Sequence, residues 1–255
     1  MALRLAGKHC AVIGATGIIG SHIAKAFAAN GAVVSLLSRT APEARPKLEP
    51  ELLPYKPTDS APSDNPSVHR FIGLDVFQHN SIKEVMGGKK EGSAGPVDIL
   101  VNCAGISQTT VMKRTPDSEL RDIVDTNLLA TMIVCKHANI RPHGCIINVS
   151  SLMAIKGVPG AAAYAASKAG VIGFTRALCR ELSPRSIRVN ALLPGWVDSP
   201  MWKQLKPELK EAYLRDTPLH RVAHPAEIAD AAVFLAANSF ANNCVLNIDG
   251  GLSAA

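Results

Sequence analysis

Six apolar runs of strand length, HCAVIG, AVVSLLS, VDILVN, CIINVSS, IRVNALLP and CVLNID, recur along the chain, most of them separated by longer segments compatible with helices. Runs that stay rich in Val, Ile and Leu, without alternating polar residues, belong to strands covered on both faces. Their alternation with helices predicts an α/β fold: a single Rossmann-type, doubly wound domain over 1–255, with a parallel sheet of about seven strands and helices on both faces. A length of 255 residues supports one such domain with a large buried core. The clearest helices are expected at about 18–29, 117–139, 162–183 and 225–237. The last has Pro225 in its first turn and Glu227 near its positive end.

One stretch interrupts this rhythm. Residues 41–67, APEARPKLEPELLPYKPTDSAPSDNPS, contain seven prolines, which exclude a continuous helix. An irregular surface loop is expected there, either a tolerated insertion or a partner-binding or lid element. No apolar run approaches the ~20 residues needed to span a bilayer, and the opening MALRLAGKHCAVIG enters a strand-like run without a signal peptide. An intracellular location, in the cytoplasm or mitochondrial matrix, is therefore expected. The six cysteines stand singly in apolar contexts and read as buried free thiols, with no metal-ligand spacing. A net charge of +6 could suit nucleic acid, yet aromatics are sparse and Lys and Arg form no long block, and an anionic cofactor or an acidic carrier explains it as well.

Ligands of open parallel sheets collect at the carboxyl ends of the strands. Gly14, Asn102, Ser151 and Pro194 all fall there, where the first, fourth, fifth and sixth strands finish. The first strand runs into Gly14-Ala15-Thr16-Gly17-Ile18-Ile19-Gly20 and then a helix. Glycine allows close ligand approach, and the helix N-terminus offers free N–H groups and positive potential to a pyrophosphate. The second strand ends in Ser38-Arg39 in place of a carboxylate. A hydroxyl and a guanidinium suit a ribose 2′-phosphate and predict NADP(H), the alternative being that Arg39 is a solvated loop charge.

Tyr164 and Lys168, four residues apart, share one helix face. A tyrosine titrates near ~10 on its own. The Lys168 ammonium, with the positive oxidised nicotinamide, is expected to bring it toward neutrality and make it a proton donor. Ser151, thirteen positions upstream, is placed to hydrogen-bond the substrate oxygen.

The ordered set resembles the short-chain dehydrogenase/reductase family over nearly the whole chain. The matching pieces are the Gly14 to Gly20 turn, Asp75 after the third strand, Asn102-Cys103-Ala104-Gly105, Asn127 in DTNL, Ser151, Tyr164-Ala165-Ala166-Ser167-Lys168, Pro194-Gly195 and Asp249-Gly250-Gly251. The resemblance implies a catalytic set of Asn127, Ser151, Tyr164 and Lys168. In it Asn127 holds a relay water and Lys168 grips the nicotinamide ribose. It also implies cofactor contacts from Gly14, Thr16, Gly17, Ile19, Ser38 and Arg39, from Asp75 and Val76 around the adenine, and from Asn102, Ala104 and Gly105 on the adenosine side. Tyr164, Lys168, Pro194, Gly195, Val197 and Ser199 complete that set. Segment 196–216 stands where the family builds a substrate lid, in which Trp196, Met201, Trp202 and Leu205 either wall an acyl chain or pack the lid itself.

Two departures stand out. Family members commonly carry Thr-Gly-x-x-x-Gly-x-Gly in the turn, whereas this chain has Ile13 and Ile18 at two of those positions, and the helix between Asn127 and Ser151 looks about one turn short. Within the family, VNALLPGWVDSPM, PLHRVAHPAEIADAAVFL and VLNIDGGL resemble 3-oxoacyl-[acyl-carrier-protein] reductases of fatty acid biosynthesis. That implies reduction of a ketone to a secondary alcohol on a 3-oxoacyl thioester of acyl carrier protein or CoA, in a homotetramer or a hetero-tetramer with a homologous subunit. It also suggests Arg141 and Arg185 as carrier-docking residues, which ordinary surface arginines would equally explain. Two alternatives remain open: a carbonyl or alcohol oxidoreductase of specialised metabolism, acting on a steroid or quinone, and a non-catalytic NADP(H)-binding subunit of a hetero-oligomeric reductase.

Overall fold

The computed structural model describes residues 3–59, 61–88, 92–108 and 110–254 and, at Met201, the backbone only. Seven strands form one parallel sheet in the order β3-β2-β1-β4-β5-β6-β7. They are β1 His9–Ile13, β2 Val33–Ser38, β3 Arg70–Gly73, β4 Val97–Asn102, β5 Ile140–Val149, β6 Arg188–Pro194 and β7 Val245–Ile248. The helices are α1 Ile18–Ala29, α2 Ala41–Leu48, α3 His79–Gly87, α4 Asp117–Val124, α5 Ala130–His137, α6 Ala162–Glu181, α7 Pro200–Lys203, α8 Pro207–Asp216 and α9 Pro225–Ala237. Among the described residues, no helix is long and apolar enough to cross a membrane.

Successive strand residues face opposite sides, and both sides are covered. Cys10 and Val12 of β1 pack in a core with Ile23 and Phe27 of α1 and Ile228 of α9. Ala11 and Ile13 pack on the other side with Ile82 of α3, Val134 of α5 and Cys179 of α6. Chain order reverses between β1 and β4, which opens the crevice at which doubly wound sheets bind ligands.

The predicted helices are present, with two differences. The segment predicted as one helix over 117–139 is α4 and α5 joined by a π-helical turn, Asp125–Leu129, and it ends at His137. After it the chain enters β5 at Ile140. There the register against β4 shifts between Val97 and Ile99, with His143 at φ 63°.

The Pro-rich stretch corrects the expectation of an irregular loop across 41–67, because it opens with the two-turn helix α2. Pro42 lies in the first turn, where its missing N–H is not needed. Pro46 forfeits the single bond to the carbonyl of Pro42. Beyond α2, Asn65 donates to the Gly7 carbonyl at 2.9 Å, and His69 bridges the β2 amide of Val34 and the carbonyl of Leu53 at 3.1 and 2.8 Å.

Candidate active site

Ser151 follows β5, and Tyr164 and Lys168 occupy the first two turns of α6. The Ser151 hydroxyl and the Tyr164 phenol meet at the lining of the cleft, close enough for Ser151 to lower the phenol's pKa. Lys168 Nζ donates to the Val149 carbonyl at 2.9 Å and sits 5.8 Å from the centre of the Tyr164 ring. Ser150 Oγ donates to the Lys168 carbonyl at 2.7 Å, which ties the helix to the strand end.

Asn127 lies in the π turn, a distortion that shifts side chains off the α-helical register. Its Oδ1 accepts from the Ile106 amide at 2.8 Å, and its Nδ2 donates to the Ile106 carbonyl at 2.9 Å and to Ser167 Oγ at 3.1 Å. Its own carbonyl accepts from the Thr131 hydroxyl at 3.0 Å. A Cβ on Gly105 would come within 3.1 Å of Asn127 Oδ1 and 3.3 Å of Lys168 Nζ, so the loop after β4 packs closely against both. All four residues expected to be catalytic therefore converge.

Burial pushes the Lys168 ammonium down to about 8. Burial also raises the Tyr164 phenol above its ordinary value, and Ser151 offsets part of that rise. Among the polypeptide's own groups desolvation dominates the Tyr164 phenol, whereas the depression expected from the sequence rests on Lys168 together with the oxidised nicotinamide. Cys103, beside Lys168, is held as a protonated thiol, pushed up to about 11 by burial.

A cleft of ≈ 690 Å³ opens at this strand edge, lined by Gly14, Thr16, Gly17, Ile19, Gly105, Ser151, Tyr164, Lys168, Pro194, Gly195, Val197 and Ser199, among others. Gly14 has φ 77°, and a Cβ there would lie 2.7 Å from the Ala104 amide nitrogen. A Cβ on Gly20 would collide with the Gly14 carbonyl oxygen, so both glycines are required by close approach. Gly17 is the N-cap of α1 and no side chain caps that helix, leaving its first N–H groups to face a ligand. Ile18 is already helical at an ordinary backbone conformation, so its substitution for glycine leaves these donors in place. The donor set and the space fit a dinucleotide.

The expected cofactor residues divide by position. Thr16 Oγ1 donates to Ser38 Oγ at 3.0 Å and lies 3.2 Å from Thr40 Oγ1, so three hydroxyls gather beside Arg39. The exposed Arg39 guanidinium lies over the Phe77 ring at 5.9 Å. Asp75 accepts from the Phe77 amide at 3.1 Å, and Val76 packs against the core after β3. Ala104 backs the Gly14 turn from beneath. Asn102 is a correction. Its side chain is buried away from the cleft, donating to Asn148 Oδ1 at 2.8 Å and to Cys135 Sγ at 3.2 Å, because its position in β4 turns it under α5 and α6.

Segment 196–216, expected to form a lid, is α7, α8 and their flanks. Trp196 stacks at 5.7 Å on Trp202 and at 4.4 Å on Tyr213, and all three rings line the cleft with Leu205 and Leu209. The Trp196 Nε1 is buried without a partner among the described residues. The side chain of Met201 lies outside the described residues. Tyr213 was not singled out from the sequence, although its spacing from the two tryptophans on a short amphipathic helix was a readable signal. Gln108 and Ser150 were also missed.

The arginines expected to dock a carrier are otherwise engaged. Arg141 pairs with Asp64 at 2.6 Å and with Asp98 at 3.3 Å, and its side chain is only 15% exposed. Arg185 remains exposed, but its guanidinium donates to the Ile140 carbonyl. The six cysteines are unpaired; Cys10, Cys145 and Cys179 are buried, whereas Cys103, Cys135 and Cys244 are half-buried, and Cys103 lines the cleft.

A family model described as "Enoyl-(Acyl carrier protein) reductase" matches residues 14–253. The 3-oxoacyl-[acyl-carrier-protein] reductase FabG of Chlamydia muridarum is 37% identical over 98% of this chain and 98% of its own. The enzyme of the same name from Thermotoga maritima is 37% identical over 98% and 99%. A solved structure from Agrobacterium tumefaciens with bound NADP, titled as a candidate 2-deoxy-d-gluconate 3-dehydrogenase, superposes with a TM-score of 0.84 at 27% identity, covering 100% of this chain and 99% of that one. With the seven-stranded sheet and the glycine cradle, these likenesses place the chain in the short-chain dehydrogenase/reductase family, whose members are oxidoreductases that bind a nicotinamide cofactor.

Proposed function

We propose that the protein is an NADP(H)-dependent ketoreductase that reduces a 3-oxoacyl thioester, carried on acyl carrier protein or CoA, to the 3-hydroxyacyl product. The observation that carries this reading is the juxtaposition of Ser151 and Tyr164 at the lining of one cleft, with Lys168 buried one helical turn on and anchored to the Val149 carbonyl. Two hydroxyls converging on one point are donors suited to an oxygen that gains negative charge. When bound, the reduced nicotinamide supplies the hydride to the carbonyl carbon. Ser151 and Tyr164 hold the carbonyl oxygen, and Tyr164 gives it a proton from its phenol. Lys168, charged below about 8, stabilises the phenolate that this leaves, and Asn127 fixes the loop and helix between which a relay to solvent passes.

NADP(H) is favoured over NAD(H) by Arg39 and by the hydroxyls of Thr16, Ser38 and Thr40 at the end of β2, where no carboxylate stands. The thioester is favoured by the names of the relatives and by the apolar wall that Leu205, Leu209 and the lid aromatics give the cleft. The tetramer belongs to the same proposal. A second reading, a carbonyl reductase of ring-bearing ketones or quinones, draws support from the cluster of Trp196, Trp202 and Tyr213 in the lining of the cleft.

A panel of 3-oxoacyl thioesters on carrier and CoA, free ketones and quinones, each assayed with NADPH and NADH, tests the proposal. The expected result is the highest kcat/KM with a 3-oxoacyl thioester and NADPH. A quinone preferred over every thioester selects the second reading, and equal use of NADH removes the cofactor assignment.

A further inference from the structure

We infer that Gln108 is a positioning residue for the proton donor, acting as a remote N-cap of the catalytic helix. This rests on the reading of Tyr164 as that donor. Helix α6 starts at Ala162, and its own N-cap position is Ala161, whose side chain accepts no hydrogen bond. Alanine is among the poorest N-cap residues because it presents no acceptor to the first orphan amides. The loop after β4 supplies what the helix lacks. Gln108 Oε1 accepts from the Ala163 amide at 2.8 Å and from the Tyr164 amide at 3.4 Å, the second and third residues of the helix. These are the amides that a local Ser, Thr or Asp cap would satisfy.

The amide group of Gln108 is itself held in place. Its Nε2 donates to the Thr110 carbonyl at 2.9 Å and to Thr115 Oγ1 at 3.0 Å, so both ends of the side chain are engaged and its flip is settled. Thr115 in turn donates within the 110–111 turn. The side chain is almost fully buried, at 5% exposure. Removing its acceptor would leave these two part-buried amides without that partner.

The separation in sequence has a structural reason. Residues Val158 to Ala161, where a local cap would stand, line the cleft, as does Gln108. The cap therefore comes across the cleft from the loop that also carries Gly105 against Lys168 and Ile106 against Asn127. Gln108 sets the height of Tyr164 along α6, while Asn127 and Ser167 set it from the other side, Ser167 Oγ donating to the Tyr164 carbonyl at 2.7 Å.

The test compares Gln108→Met, which keeps the volume and loses the acceptor, with the double variant Gln108→Met/Ala161→Ser, which offers the helix an acceptor at its own N-cap position. Each is measured for kcat and KM with NADPH and a 3-oxoacyl thioester, for the pH dependence of kcat, and for amide exchange at Ala163 and Tyr164. Gln108→Met is expected to lower kcat about tenfold with KM for NADPH unchanged, to shift the pH profile, and to speed exchange at both amides about tenfold. Gln108→Met/Ala161→Ser is expected to recover most of the kcat and the slow exchange. If Gln108→Met keeps wild-type kcat, pH profile and exchange, or if the double variant regains slow exchange while kcat stays as low as in Gln108→Met, the cap has no positioning role. Amide exchange reports the cap without reference to turnover, so Tyr164→Phe at full activity would remove the donor reading while the exchange result still judged the cap itself.

Discussion

The two ends of the sheet bury titratable groups by the same means and to opposite purpose. At the carboxyl end, desolvation pushes Lys168 down to about 8, and the groups around it border the cleft: Ser151, Tyr164 and the uncapped start of α1. At the amino end, desolvation pushes His9 down to about 4, with Arg141 and Arg70 lowering it further and Pro96 and Asp98 pulling it back up. There every group is matched. His9 reaches the Pro96 carbonyl at 2.7 Å and Ser35 Oγ at 2.9 Å, its amide donates to Asp98 at 2.8 Å, and Arg141 closes the network through Asp98 and Asp64. A perturbed group thus marks function only where a cleft gives it something to act on.

Between the two ends, the largest effect should come from removing the Lys168 charge at the carboxyl end. Lys168→Met is expected to lower kcat for reduction about 100-fold. In the wild type, reduction should weaken as pH rises through about 8, because the protonated ammonium is the form that stabilises the phenolate. That descending limb should vanish in the variant, and a pH–rate profile of both checks it. Survival of the same limb in Lys168→Met would assign it to another group.

A middle effect belongs to the amino end and concerns stability alone. The folded value of His9, about 4, lies below the unfolded 6.5, so its contribution is complete above 6.5 and is lost as pH falls toward 4. The loss approaches about 3 kcal/mol over that window. Urea unfolding at several pH values should show His9→Gln with a flatter acid limb than the wild type. Parallel limbs would place the acid sensitivity elsewhere.

The smallest effect separates architecture from docking. Arg141→Ala should cost about 1 kcal/mol by freeing Asp64 and loosening the segment after α2. Its KM for a carrier-bound thioester should stay within about twofold of the wild type, since the guanidinium is held in ion pairs. A tenfold rise in KM with the carrier-bound substrate, and none with the CoA thioester, would return Arg141 to a docking role.

How far the residues could be read in advance follows from the distance over which each interaction acts. The strands were legible because a doubly covered sheet demands unbroken apolar runs, and the Tyr164–Lys168 pair because one helical turn fixes which residues share a face. Asn102 was misplaced although period-two logic was available: it shares a strand face with Leu100, which packs in the core beneath α5 and α6. The ion pair of Arg141 with Asp64 spans 77 positions, and the cap from Gln108 to Ala163 spans 55. No local pattern reports contacts of that kind. The one trace of the second was negative, a helix beginning at Ala162 with alanine where a capping side chain belongs. α2 was missed because proline was counted as a breaker throughout, when the first turn of a helix accepts it.

The most direct measurement of the central claim is NADPH oxidation on an acetoacetyl thioester by the wild type and by Tyr164→Phe, with NADPH binding followed separately. The expected outcome is a loss of about 100-fold to 10,000-fold in kcat with cofactor affinity retained, as for removal of a general acid. Equal rates would contradict the account, because the Ser151–Tyr164 pair would then have no part in the chemistry.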